Sequence, residues 1–97
     1  MRIIGHIDHA SLKITVFKMD NKLSVKFETG LYEQTFKFRE SNELHDFKTM
    51  QMLVDERLIG EVLENFARMH RSKNEALGRF LPRSGEPKAE EEFEEII

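Results

Sequence analysis

Cysteine is absent, which excludes disulfides, zinc–thiolate sites and thiol catalysis. Tryptophan is absent, tyrosine occurs once, and the two prolines, Pro82 and Pro87, both stand near the C-terminus. Nothing upstream of them therefore breaks a helix or strand by removing a backbone donor. No apolar run approaches the roughly 18 residues of a membrane span. The opening Met1-Arg2-Ile3-Ile4-Gly5-His6 lacks the apolar stretch of a secretory signal, so a cytoplasmic protein is expected. Glycine-rich phosphate loops, nucleophile elbows and zinc-protease motifs are missing as well.

What is present is 97 residues, 39% apolar and 34% charged. That composition fits one soluble globular domain with a thin core and excludes collagen-like and wholly disordered classes. The net charge of −3 hides an uneven distribution. Residues 1–39 hold seven Lys/Arg against four Asp/Glu, residues 40–80 six against eight, and residues 81–97 two against six. A basic front, a mixed middle and an acidic tail follow one another.

The front half predicts strands near 2–8, 12–19, 22–29 and 31–39, separated by turn signals at residues 8–11, Asp20-Asn21 and Thr29-Gly30. Such short connections permit only antiparallel neighbours. A loop at Asp20-Asn21 pairs Val16 with Val25 and Ile14 with Phe27. A turn over Ala10-Ser11 pairs Ile7 with Ile14 and Gly5 with Val16, which sets Ile4 opposite Phe17. A loop at Thr29-Gly30 pairs Phe27 with Tyr32 and Val25 with Gln34, which sets Lys22 opposite Lys37 and Lys26 opposite Glu33. All three registers gather Ile3, Ile7, Leu12, Ile14, Val16, Leu23, Val25, Phe27, Tyr32, Phe36 and Phe38 on one face.

From Glu43 to about Gly78 the spacing of Leu44, Phe47, Val54, Leu58, Val62, Phe66 and Met69 predicts a helical stripe that covers this face. Ser41 or Asn42 is the expected N-cap. A helix of that length overruns the sheet, so a bend is expected at Val54–Arg57, where Asp55 can cap a second helix. The alternation of Met50, Met52 and Val54 leaves a fifth strand over Thr49–Val54 as the rival reading. A second apolar stripe at Met52, Ile59 and Leu63 predicts a homodimer interface. The expected fold class is α+β, a four-stranded antiparallel meander with one face covered by a long or kinked helix. It forms a single domain over residues 1–80, and residues 81–97 form an acidic disordered tail.

His6 and Asp8 share a strand face at a spacing that suits a metal or an oriented base, but no third ligand joins them, and no metal site or cofactor is expected. The acid clusters His45-Asp46 and Asp55-Glu56 read better as helix caps than as general acids. No enzyme is expected. The main functional candidate is the outer sheet face, with the cations Arg2, Lys13, Lys22, Lys26, Lys37 and Arg39 and the aromatic Phe17. Cations that follow a phosphate backbone, together with a ring on which bases stack, are what single-stranded nucleic acid needs.

Four antiparallel strands followed by a long helix resemble the Whirly-type and transcriptional-coactivator-type fold that binds single-stranded nucleic acid. The likeness covers residues 2 to about 72 as an order of elements, without a binding motif. The chain is also similar in kind to small bacterial proteins. The resemblance implies a helix-mediated dimer that presents its sheets to DNA or RNA. The expected function is thus non-enzymatic binding of single-stranded nucleic acid, and the alternative is a homodimeric interaction or assembly module acting through the helix and the acidic tail.

Overall fold

A computed structural model of the chain describes residues 1–82. Four strands, β1 (Arg2–Ile7), β2 (Lys13–Met19), β3 (Lys22–Thr29) and β4 (Tyr32–Arg39), precede two helices, α1 (Phe47–Leu53) and α2 (Glu56–Phe80). The strands form one antiparallel sheet in the order β1-β2-β3-β4. The fold is the α+β meander with a long C-terminal helix. The acidic segment expected after it falls, from residue 83 on, outside the described residues.

The core follows the alternation of the strands. Leu12, Ile14, Val16, Leu23, Val25 and Phe27 are buried on one face, and Met50, Val54, Val62 and Phe66 close over them from the helices and the link between them. Each large apolar side chain buried in this way contributes about 1.5–3 kcal/mol relative to exposure. Gln34 Nε2 donates to the Val62 carbonyl at 2.9 Å, and Tyr32 Oη lies 2.8 Å from His70 Nδ1, so polar contacts also tie β4 to α2.

Two registers differ from the sequence expectation. The β3–β4 loop is Gly30-Leu31, one residue later than expected, and pairs Thr29 with Tyr32, Val25 with Phe36 and Leu23 with Phe38. Gly30 takes φ +55°, the left-handed value a type II′ hairpin requires at its first central residue. Each β4 residue thus moves by two positions relative to β3, which keeps the faces and changes the neighbours. Lys22 stands opposite Arg39 instead of Lys37, and Lys26 opposite Thr35 instead of Glu33.

The second difference is a bulge in β1 between Ile3 and Gly5. Ile7 still pairs with Ile14 and Gly5 with Val16, but beyond the bulge Ile3 pairs with Phe17 and Arg2 with Lys18. The extra residue inverts the end of the strand. Ile4 packs against the core, whereas Ile3, expected inside, is 54% exposed. Gly5, beside the bulge, leaves room for the Phe47 ring, which lies where a side chain at this position would be.

The helical region breaks where expected. Val54 ends α1, and the Asp55 carboxylate accepts from the Leu58 N–H at 2.9 Å to start α2, which removes the fifth-strand reading. The beginning differs. Asp46 is the N-cap of α1, with its carboxylate accepting from Thr49 N at 2.9 Å and the Thr49 hydroxyl accepting from Asp46 N at 3.1 Å. Neither Ser41 nor Asn42, the two expected caps, fills that place, and Ser41 instead closes a turn by accepting from Leu44 N at 3.1 Å. At 25 residues α2 runs about 37 Å, longer than the roughly 26 Å of an eight-residue strand, so it overruns the sheet.

Candidate nucleic-acid interface

The face of the sheet turned away from the helices is ordered in rows by the registers. Met19, Lys22 and Arg39 make the first row, and Ile3, Phe17, Ser24 and Lys37 the second. His6, Thr15, Lys26 and Thr35 follow, and then Lys13, Glu28 and Glu33. The corrected pairing therefore segregates charge along the strands. Lys22, Lys26, Lys37 and Arg39 occupy three rows free of acids, while Glu28 faces Glu33 in the fourth.

A depression of about 270 Å³ lies in the cationic part, lined by Met1, Phe17, Met19, Lys22, Ser24, Lys26, Glu33, Thr35 and Lys37. Its lining joins an aromatic ring and two thioethers to three ammonium groups and one carboxylate, that of Glu33. Lys26 Nζ stands 5.5 Å from the Phe17 ring centroid, within reach of the ring quadrupole. The same ammonium lies 3.7 Å from Glu28, in a partly exposed pair of the kind worth less than about 1 kcal/mol. Lys26 is thus held by two weak contacts, one to the Phe17 ring and one to Glu28. Beneath the centre of the face Thr15 is 2% exposed, with its hydroxyl 3.4 Å from His6 Nδ1.

The expected site residues divide. Phe17, Lys22, Lys26, Lys37 and Arg39 come together on one end of the outer face. Lys13 shares the face but stands opposite Glu28 at the acidic end. Arg2, expected on this face, shares the helix-covered side with Lys18, because the β1 bulge inverts its orientation. The expected dimer residues divide too. Met52 on α1 is 72% exposed and Leu63 on α2 is 41% exposed, whereas Ile59 packs against the core of its own chain.

Two features escaped the sequence reading. Met1 reaches the depression because the bulge re-aims the start of β1. The second half of α2 carries Arg68, Arg71, Lys73 and Arg79 with the single acid Glu75, after a first half with Glu56, Glu61 and Glu64 and the single base Arg57. Charge counted over residues 40–80 as a block conceals that polarity. Lys73 is partly occupied by Tyr32, with its Nζ 5.1 Å from the ring centroid.

Histidine chemistry is modest. His45 Nε2 lies 3.9 Å from Asp46 Oδ2, and Asp46 is the α1 cap. The Thr49 backbone N–H, with the Thr49 hydroxyl, holds the Asp46 carboxyl below its ordinary value of 3.8. Among the described residues no helix is long and apolar enough to cross a membrane. Comparison of the chain with protein-family models, with curated proteins and with solved structures finds no match. The likeness to the Whirly-type proteins is therefore one of ββββα order, and fold order alone does not carry function.

Proposed function

We propose that this protein is a non-enzymatic binding protein for single-stranded DNA or RNA, and that the outer sheet face receives the strand. The observation that carries this reading is the presence of Lys22, Lys26 and Lys37, against the single acid Glu33, in the lining of the depression with Phe17 and Met19, and of Arg39 opposite Lys22 beside it. Like charges placed opposite each other, as Lys22 and Arg39 are, destabilise a sheet modestly. A phosphate set between them offsets that cost and releases counterions. Phe17 supplies a flat apolar surface on which a base stacks without sequence preference. Contacts of this kind position a strand and read no sequence.

The test is a fluorescence-anisotropy titration of labelled single-stranded oligonucleotides at low and moderate salt, with a duplex of equal length beside it. Binding that weakens steeply with salt and prefers the single strand supports the proposal. No binding at low salt removes it. A second reading, an assembly module acting through the exposed Met52 and Leu63, rests on those two apolar side chains in the helical layer. Apolar association of that kind is insensitive to salt, so the same titration separates the two readings.

A further inference from the structure

The two edges of the sheet are built differently. β1 has six residues and a bulge, a device that twists an edge away from further pairing. β4 has eight residues, pairs with β3 over its whole length without a register shift, and contains no proline. Among the described residues no strand pairs with its open side. Its alternation also fixes which backbone groups face outward. Glu40 N donates to Asn21 O at 2.7 Å, continuing the ladder that begins at Thr29 and Tyr32. The even-numbered residues of β4 therefore bond to β3, and the N–H and C=O groups of Glu33, Thr35, Lys37 and Arg39 point to the open edge.

We propose that this edge pairs with the β4 edge of a second copy of the chain, antiparallel about a two-fold axis centred on Phe36. The argument for a second copy is self-complementarity. In that register Glu33 stands opposite the partner's Arg39, Arg39 opposite the partner's Glu33, and Thr35 and Lys37 opposite each other. The outward N–H and C=O groups of all four residues in each copy meet outward groups of the other. On the helix side Phe36 meets the partner's Phe36. A groove of about 280 Å³ lined by Phe36, Leu58, Val62, Asn65 and Arg68, with Glu61 and Glu64 at its rim, lies beside that contact. The product is an eight-stranded sheet whose two outer faces are continuous. The seam differs from one through Met52, Ile59 and Leu63, since Ile59 is already used within its own core.

Sedimentation velocity of the full chain across a micromolar to millimolar range tests the idea. Thr35→Pro removes an outward donor that β3 does not use, and proline is tolerated at sheet edges, so the variant is expected to fold and to sediment as a monomer. Glu33→Arg alone and Arg39→Glu alone place like charges across the seam and each weaken dimerisation at least tenfold. The double variant Glu33→Arg/Arg39→Glu restores it. These charge changes lie on the surface and decide the matter even where Thr35→Pro fails to fold. A native protein that stays monomeric overturns the proposal. So does a dimer that survives the Glu33 and Arg39 changes but falls apart with Met52→Glu/Leu63→Glu. Failure of the charge swap to rescue the single variants overturns the Phe36-centred register.

Discussion

Lys22 stands directly opposite Arg39 at one end of the outer sheet face, and at the other end Glu28 stands opposite Glu33. The two like-charged pairs cost the isolated sheet a little stability each. Their separation gives the face a cationic end and an acidic end, which alternating charges along single strands do not reveal. In the proposed function, the end that holds Phe17 is the one that receives the polyanion.

Replacing Lys22, Lys26 and Lys37 together with Glu is expected to abolish oligonucleotide binding while the thermal unfolding transition stays cooperative. Neutralising one of them lowers the slope of log K against log salt by about 0.7, the contribution of one phosphate on a single strand. Anisotropy titrations at several salt concentrations give both values. A triple variant that binds like the native protein contradicts the assignment of this face.

Phe17→Ala is expected to weaken binding by about 1–3 kcal/mol, with the salt slope unchanged, because stacking releases no counterions. Phe17→Tyr keeps the ring and retains most of the affinity. A loss that appears only as a changed slope points to Lys26, which shares the space above the ring.

Gly5→Ala is expected to destabilise the fold by about 1–3 kcal/mol, since the new methyl overlaps the Phe47 ring and forces strain into a packed site. Chemical denaturation measures the loss. Combining it with Phe47→Leu recovers part of the loss, because the smaller side chain leaves room for the methyl. Additive losses in the double variant contradict the close approach.

Helix caps give a pH-dependent outcome. Asp55→Ala removes the N-cap of α2 and costs about 1 kcal/mol. For Asp46 the folded carboxyl titrates below its ordinary value of 3.8, chiefly through the Thr49 backbone N–H. Its contribution is therefore complete above that value and is lost as pH falls through the lowered folded value. The melting-temperature deficit of Asp46→Ala narrows over that acid range. A deficit independent of pH excludes the charged cap.

The strands and the core face were legible in the sequence because the period of two is unambiguous where one face is buried, as at Leu23, Val25 and Phe27. The helix break was legible for a similar reason, since Asp55 combines a capping side chain with a position between two apolar stripes. The β3–β4 register was not. A slip of two residues preserves every face, so hydrophobic pattern cannot detect it, and the positive φ of Gly30 decides the loop. The bulge was hidden because Ile3 and Ile4 are equally apolar, so the hydrophobic pattern does not tell which one faces inward. Both features bear on the candidate site: the register sets the partners of Lys22 and Lys26, and the bulge takes Arg2 off the face.

The rival to the sheet face is the basic second half of α2, with Arg68, Arg71 and Arg79. Titrating a short single-stranded oligonucleotide into isotope-labelled protein, with the amide and methyl resonances followed by NMR, distinguishes them directly. The account predicts saturable shifts at Phe17, Met19, Ser24, Lys26 and Lys37 that fade as salt is raised. Shifts confined to Arg68, Arg71 and Arg79, or none at low salt, contradict it.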